Sequence, residues 1–172
     1  HTQQFGLGFD VVDALTGPAI GRAKSATFRT ADVVGLDTMA HVVKTMFDTL
    51  PDDPWHALYA TPPVLAGLVA QGALGAKTKA GFFRKVGRDI EVLDPAARDY
   101  RPAAGGVAPE VAEMLKIRAP GEKFAKLRTS PHPQAQFLWA IFRDLFHYSA
   151  YHLAAIADNA RDVDLAIRWG FG

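Results

Sequence analysis

The 172-residue chain contains no cysteine. This absence excludes a disulfide framework, a thiolate-ligated zinc or iron–sulfur site and a cysteine nucleophile. The chain also lacks an excess of charge, because 19 Lys and Arg face 18 Asp and Glu, which gives a net charge of +1. Such a balance argues against nucleic-acid binding as the main role. No apolar run approaches the roughly 20 residues that a membrane-spanning helix needs.

The opening residues, His1-Thr2-Gln3-Gln4, lack the basic stretch followed by an apolar stretch that marks a signal peptide. The composition, 49% apolar and 22% charged, is that of a globular domain. We therefore expect a soluble, cytoplasmic protein with a buried core and no membrane span.

Apolar residues recur at helical spacing along most of the chain, so we predict a mainly α fold. The patterns indicate helices over residues 11–15, 36–50, 63–69, 109–117, 122–127, 134–157 and 160–169. We expect Thr30 to be the N-cap of the segment before residue 36. Residues 134–157 contain neither Gly nor Pro, and their largely apolar helical face has four aromatic residues beside it. A helix with that pattern is predicted to be largely buried.

Two short strands are predicted over residues 81–85 and 90–93, with a turn at Gly87 between them. An isolated hairpin is only marginally stable, so we expect this small β-hairpin insert to lie against the helices. Residues 94–107 are rich in Pro, Ala and Gly, which makes them the best internal boundary.

The chain also carries a weak internal repeat. Residues 12–21 can be aligned with residues 163–172, with three of the ten positions identical. A long helix precedes only the second copy, and residues 25–37 follow only the first. We therefore expect two related helical repeats. Residues 1–100 would be the first repeat with the hairpin, truncated at the N-terminus, and residues 101–172 the linker helices and the start of the second, truncated at the C-terminus.

Three motifs occur in order along the chain. The first is an aromatic residue, Phe28, followed by Asp-x-x-Gly-Leu-Asp at residues 32–37. It resembles a motif of the C-terminal domain of the 3-hydroxyacyl-CoA dehydrogenases, where the three occur in the same order. The second, at residues 75–83, resembles the family's glycine- and lysine-containing segment that ends in Gly-Phe-aromatic. The third, at residues 163–172, is similar to the second domain copy of the longer, fused β-oxidation enzymes. One departure is Ala26-Thr27, which stands where the family usually has Gly-Pro.

The resemblance implies a fold like that of the C-terminal domain of 6-phosphogluconate dehydrogenase. It implies NAD-dependent oxidation of 3-hydroxyacyl-CoA to 3-oxoacyl-CoA in fatty-acid β-oxidation. In the family, the NAD-binding Rossmann domain with the catalytic His and Glu lies upstream, as does an Asn-Arg motif that helps to hold the substrate, and none of these has a match here. We therefore expect a substrate-side and dimerisation domain, inactive alone, that works with its own Rossmann domain and forms a homodimer. The two-copy layout suggests a parent fused to an enoyl-CoA hydratase module.

Two segments are candidates for contact with the acyl-CoA substrate. Residues 25–30 precede a helix start, where backbone N–H groups point outward. Phe28 would line the acyl chain and Arg29 would meet a phosphate or the thioester side; the alternative is a core Phe and a solvated Arg. Lys77 and Lys79 would contact a CoA phosphate or another domain, and otherwise belong to a solvated loop. The candidate substrate-binding residues are Ser25, Phe28, Arg29, Thr30, Lys77 and Lys79.

No catalytic, cofactor-binding or metal-binding residue is predicted. Gly6-Leu7-Gly8 lacks the third glycine and the preceding strand of a dinucleotide site, so it indicates a turn. His147 and His152 are five apart, a spacing that does not suit chelation of one metal ion. Asp32 and Asp37 flank Gly35 and fit capping and backbone hydrogen bonding at a kink better than acid–base catalysis. The basic residues within 116–128 fit either CoA binding or a solvated face.

The sequence is also compatible with two other functions. In the first, the chain is an assembly module without ligand contacts; in the second, it is the helical domain of another Rossmann-coupled dehydrogenase. Binding of acyl-CoA to the chain would distinguish the 3-hydroxyacyl-CoA dehydrogenase hypothesis from the first alternative, and the substrate that the full-length protein oxidises would distinguish it from the second.

Overall fold

The computed structural model describes the backbone of residues 1–171 and the side chains of residues 1–170. Gly172 and the Phe171 side chain, which end the segment resembling a second domain copy, lie outside the described residues. The helices are α1 (Phe9–Thr16), α2 (Phe28–Val34), α3 (Leu36–Thr49), α4 (Pro63–Ala70), α5 (Pro109–Lys116), α6 (Pro120–Thr129), α7 (Pro133–Ile156) and α8 (Ala160–Phe171). The strands are β1 (Phe83–Val86), β2 (Asp89–Asp94) and β3 (Asp99–Pro102). The predicted mainly α fold with a small β insert is confirmed.

The chain divides into two compact units, which we describe separately. The sheet unit is Ser25–Ala104, and the split unit combines His1–Lys24 with the chain from residue 105 onwards. The predicted boundaries of the two repeats stay a prediction, because the units group residues by contact whereas a repeat concerns correspondence between two stretches of sequence.

In the sheet unit, α2 and α3 meet at Gly35, whose φ of 104° is open to glycine but strained for other residues. The three strands form an antiparallel sheet in the order β1-β2-β3. Leu36 and Val92 are fully buried and anchor the core of this unit. The predicted kink between two helical pieces at Gly35 is confirmed.

The third strand was not predicted. Residues 99–102 lie inside the segment that we predicted to be a boundary, yet they pair with β2, and Leu93 lies opposite Tyr100. A third strand adds the backbone pairing and apolar contact that a two-stranded hairpin lacks. Pro102 is tolerated because β3 is an edge strand, where one missing N–H leaves no ladder partner unpaired.

The predicted N-cap at Thr30 is wrong. Helix α2 begins at Phe28, so Thr30 lies inside it, and the residue in the N-cap position is Thr27. The Thr30 hydroxyl donates to the Ala26 carbonyl oxygen at 2.6 Å. A threonine that bonds back to the carbonyl four residues earlier remains compatible with a helix, so its presence did not mark the helix start.

In the split unit, two polar side chains hold the extended segment before α5. The Asp10 carboxylate accepts the Gly105 N–H at 2.8 Å. The Gln134 amide accepts the Ala108 N–H at 2.8 Å and donates to the Gly106 carbonyl at 3.0 Å. These bonds satisfy backbone groups that no helix or strand pairs. The largest fully buried apolar side chains of this unit are Val12, Leu15, Val111, Leu127 and Leu138.

Helix α7 has nearly the predicted bounds, but the prediction that it is largely buried is wrong for its second half. Phe137 and Leu138 in the first half are buried, whereas Phe146 is 52% exposed and Tyr151 is 58% exposed. The first half packs against α6, and α8 packs beside the second half. One neighbouring helix covers only part of a helix that is apolar on most sides. Among the described residues, no helix combines the length and apolarity needed to cross a bilayer.

Candidate functional site

Asp32 organises the part of the sheet unit that holds the candidate residues. Its side chain is buried at 7% exposure. One carboxylate oxygen accepts the Phe82 N–H at 2.8 Å, and the other accepts the Phe83 N–H at 2.8 Å. Charge-assisted bonds of this kind are roughly twice as strong as neutral ones. Asp32 therefore binds α2 to the start of β1. The expected backbone hydrogen bonding is present, but its partners lie fifty residues away and not at the kink.

Two glycines allow the loop before β1 to approach Asp32. A Cβ atom on Gly75 would clash with the Asp32 backbone, and a Cβ atom on Gly81 would clash with its carboxylate. Gly75 also has a φ of 91°, which L side chains rarely adopt. The glycine positions of this segment are thus explained by close contact with Asp32.

Within this loop, hydrogen bonds fix the positions of Lys77 and Lys79. The Gly75 N–H donates to the Ala80 carbonyl at 2.7 Å. The Thr78 hydroxyl accepts the Leu74 N–H at 2.7 Å and lies 3.1 Å from the Ala80 carbonyl oxygen. Lys79 has a φ of 62°, in the left-handed region. The loop therefore presents its two lysines from a closed, hydrogen-bonded turn.

The two lysines have different surroundings. Lys77 Nζ lies 2.6 Å from both carboxylate oxygens of Asp37. The hydrogen bond from Lys77 lowers the pKa of Asp37 from its usual value, and partial desolvation opposes that change. Lys79 is exposed, and among the described residues no acidic side chain pairs with it. Lys79 is therefore the cation of this loop that can accept an external anion without first breaking an ion pair.

Phe28 and Arg29 lie against the two phenylalanines whose N–H groups Asp32 accepts. The ring centroids of Phe28 and Phe82 are 4.7 Å apart. The Arg29 guanidinium carbon lies 4.9 Å from the Phe83 ring centroid, within cation–π range. Phe28 is half-buried and Arg29 is exposed. Phe28 thus packs partly into the core, as the alternative interpretation expects, while part of its surface remains accessible.

Ser25 and Thr30 form a local pair beside Phe28. Their hydroxyl oxygens are 2.9 Å apart, and both residues are half-buried. All six candidate residues therefore lie in the sheet unit, and Asp32 connects the helix that carries Phe28 and Arg29 to the loop that carries the lysines.

Tyr100 supports the same loop, and sequence reasoning missed it. Its hydroxyl donates to the Gly81 carbonyl at 2.5 Å. Arg84 lies over the Tyr100 ring, 4.1 Å from the centroid, and pairs with Glu91 at 2.7 Å. Burial raises the pKa of Tyr100 above its usual value. Tyr100 follows a Pro- and Ala-rich stretch without strand alternation, so no local pattern pointed to it.

The described residues do not fit a dinucleotide site. Gly6 lies in a turn, where its N–H donates to the Gln3 carbonyl at 3.2 Å, and the turn leads into α1 without a preceding strand. The sheet within the described ranges is antiparallel, whereas dinucleotide binding of the Rossmann type uses parallel strands. Within the described ranges, no three His, Asp or Glu side chains are placed together to hold a metal ion.

Comparison with known families supports the motif analysis. Residues 5–85 match a family model described as "3-hydroxyacyl-CoA dehydrogenase, C-terminal domain". Residues 5–85 belong to this family. The resemblance found in the sequence is thereby confirmed. The matched range contains Asp32 and all six candidate substrate-binding residues.

Two of the curated relatives described here match most of this chain. A "Probable 3-hydroxyacyl-CoA dehydrogenase" of Bacillus subtilis is 37% identical over 161 residues, which is 94% of this chain and 20% of the relative. A protein of the same name from Deinococcus radiodurans is 46% identical over 85 residues, 49% of this chain and 24% of the relative. A "Putative fatty acid oxidation complex trifunctional enzyme" of Rickettsia felis is 23% identical over 170 residues, 96% of this chain and 22% of the relative.

The chain thus spans about a fifth to a quarter of the length of the curated relatives that it matches. No solved structure matches it significantly.

Proposed function

We propose that the chain is the substrate-side and dimerisation part of a cytoplasmic, NAD-dependent 3-hydroxyacyl-CoA dehydrogenase of fatty-acid β-oxidation. The parent reaction oxidises 3-hydroxyacyl-CoA to 3-oxoacyl-CoA. The observation that carries the proposal is the family match over residues 5–85, which contains the network that Asp32 builds around the candidate residues.

In this proposal, the sheet unit binds one side of the acyl-CoA. Phe28 offers a partly accessible apolar surface to the acyl chain. Arg29 and Lys79 are exposed cations for phosphate oxygens or for the thioester side. Lys77 acts through its ion pair with Asp37 by holding the loop in place. Ser25 and Thr30 offer hydroxyl groups next to Phe28.

NAD supplies the acceptor for the hydride when it is bound to the enzyme. Because the described residues do not fit a dinucleotide site, we assign NAD to a separate Rossmann domain of the parent protein and assign no proton or hydride step to this chain. The chain alone is then inactive. The name of the Rickettsia felis relative, a trifunctional enzyme, supports a parent with further modules, of which an enoyl-CoA hydratase is the one that we propose.

Calorimetric titration of the chain with acetoacetyl-CoA, and separately with NAD, tests the proposal. We expect saturable binding of acetoacetyl-CoA and none of NAD. Lys79→Gln should weaken acetoacetyl-CoA binding, whereas Lys44→Gln, which removes another exposed cation, one paired with Asp48 on α3, should leave it unchanged. Binding of NAD would contradict the assignment of the cofactor to another domain. Equal effects of the two lysine variants would show that Lys79 makes no specific contact.

A second candidate function, a pure assembly module, is favoured by exposed apolar residues on α3. Val42 is 50% exposed, Met46 37% and Phe47 39%. Surfaces of this kind mark protein–protein contact sites. Analytical ultracentrifugation separates the two candidates when it is combined with the titration. A dimer that binds no acyl-CoA would favour assembly alone, and a dimer that binds acyl-CoA would support the dehydrogenase domain.

A further inference from the structure

Tyr100 lies outside the matched range 5–85 and holds one peptide group of the loop that carries the two lysines. The peptide group that joins Gly81 to Phe82 is bonded at both of its ends. Its carbonyl oxygen accepts the Tyr100 hydroxyl at 2.5 Å, and its N–H donates to the Asp32 carboxylate at 2.8 Å. This peptide group therefore cannot rotate without losing a hydrogen bond.

The two bonds differ in what else depends on them. Asp32 is buried and also accepts the Phe83 N–H, so its removal disturbs the core of the sheet unit. Tyr100 is half-buried and stands on an edge strand. Loss of its hydroxyl removes a restraint on the loop and leaves the ring, and with it most of the packing, in place. Tyr100 can therefore change the position of the loop without being essential to the fold.

Neighbours on the sheet hold the Tyr100 ring. The Arg84 guanidinium lies over the ring, 4.1 Å from its centroid, and this contact is within cation–π range. Arg84 Nε in turn lies 2.7 Å from the Glu91 carboxylate. On the neighbouring strand, Leu93 lies opposite Tyr100. A ring fixed in this way presents its hydroxyl at one position, as a restraint on a loop requires.

Lys79 depends on such restraints because its backbone conformation is unfavourable. Its φ is 62°, in the left-handed region that L side chains rarely adopt. Residues in sparsely populated regions persist where the surrounding structure holds them, and they cluster at binding and catalytic sites. The Lys79 N–H donates to the Ala76 carbonyl at 3.2 Å, and the Gly75 N–H donates to the Ala80 carbonyl at 2.7 Å. These bonds close the turn, and Tyr100 fixes the point at which the chain leaves it.

We propose that Tyr100 is a positioning residue. By holding the Gly81 carbonyl, it keeps Lys79 in place as the site for an anionic group of the substrate. The identity of the ligand, an acyl-CoA, rests on the proposed function, and the inference adds a residue on which the affinity depends. Tyr100, Gly81 and Lys79 all lie in the sheet unit. Tyr100 acts through Lys79 and makes no contact with the ligand.

A double-mutant cycle tests this role, with acetoacetyl-CoA titrated into the whole chain well below its melting temperature. We expect Lys79→Gln to weaken binding about tenfold, as for loss of one charge-assisted bond, and Tyr100→Phe to weaken it about threefold to tenfold. Because Tyr100 acts through Lys79, the losses should not add. In the Lys79→Gln chain, Tyr100→Phe should change the affinity less than about twofold. Tyr59→Phe removes a hydroxyl from another half-buried tyrosine of the same unit and should have no effect.

Hydrogen exchange follows the loop in the absence of any ligand. The amides of Gly75 and Lys79 should exchange faster in Tyr100→Phe than in the unaltered chain, because the turn opens more often. The amides in the middle of α3 should exchange at unaltered rates, which distinguishes a moved loop from a generally destabilised unit. Circular dichroism of each variant shows whether the helices remain.

Three results separate this inference from the proposed function. Equal affinities of the unaltered chain and Tyr100→Phe would overturn the inference and leave the proposed function standing. Additive losses in the cycle would do the same, since Tyr100 would then act independently of Lys79. If the unaltered chain binds no acetoacetyl-CoA, the proposed function fails and hydrogen exchange decides the positioning role: faster exchange at Lys79 supports it, and unchanged exchange overturns it.

Discussion

Removal of the Asp32 carboxylate should destabilise the sheet unit more than removal of any exposed carboxylate in it. Asp32→Ala leaves the N–H groups of Phe82 and Phe83 without their acceptor in a buried environment. A hydrogen bond to a charged group contributes about 1.5–3 kcal/mol, and there are two, so we expect a loss of about 3–6 kcal/mol. Small domains have a total stability of about 5–15 kcal/mol, so the effect is a large fraction of the whole.

Urea unfolding followed by circular dichroism measures this loss, with Asp37→Ala as the matched control. Asp37 also carries a bonded carboxylate, but its ion pair with Lys77 is half-exposed, and exposed pairs contribute little. The reasoning would be refuted if the two variants were equally stable. Should Asp32→Ala fail to fold, Asp32→Asn keeps the size of the side chain, and hydrogen exchange of the Phe82 and Phe83 amides should then be faster than in the unaltered chain.

Three further predictions concern the same unit. Gly35→Val should lower the free energy of unfolding by about 1–3 kcal/mol because φ is 104° and a Cβ atom would lie 3.0 Å from the Asp37 carboxylate. Thermal melting measures the loss, with Gly67→Ala in α4 as the control, because a Cβ atom is unobstructed there and the variant should be neutral or stabilising. Unchanged stability of the Gly35 variant would contradict the strain. Because Lys77 lowers the pKa of Asp37, their pair stabilises the fold above the ordinary carboxyl pKa of 3.8 and is lost as the pH falls through the lower folded-state value. Asp37→Asn should therefore flatten the acid limb of a plot of melting temperature against pH, most clearly at low salt, and an unaltered limb would argue against the pair. Tyr100→Phe should cost about 0.5–1.5 kcal/mol at neutral pH through the lost bond to the Gly81 carbonyl. Since burial raises the Tyr100 pKa, its contribution is present below pH 10.0 and lost above it, so the variant should also melt with less alkaline dependence; equal alkaline curves would contradict that assignment.

Local patterns were sufficient to place most elements. The bounds of α3, α4, α5 and α7 follow from apolar spacing, from Pro at the start of α4, α5 and α7, and from Pro or Gly after the end of α3, α4 and α5, because these signals act within one or two turns of the chain. Helix α7 instead ends just before Asp158-Asn159. The hairpin likewise follows from two short apolar stretches around Gly87. Helix ends were less well determined. Thr30 is a favoured N-cap residue type, but the helix had already begun at Phe28.

The candidate site was only partly predictable. Its motif residues stand out in the sequence, and the glycines at 75 and 81 indicate a tight loop. Nothing local shows that the Asp32 carboxylate bonds to the amides of Phe82 and Phe83, since that contact joins residues fifty positions apart. The different surroundings of Lys77 and Lys79 also depend on Asp37 in another helix.

The sequence by itself determined the helical periodicity, the family and the residue types available for chemistry, because each of these depends only on residues close together along the chain. The tertiary structure decided which side chains meet. It brought β3 alongside β2, left the second half of α7 exposed to solvent, and placed Arg128 beside Trp139. An apolar pattern indicates which face of a helix or strand is buried, whereas the residues that cover this face depend on packing among segments distant in sequence.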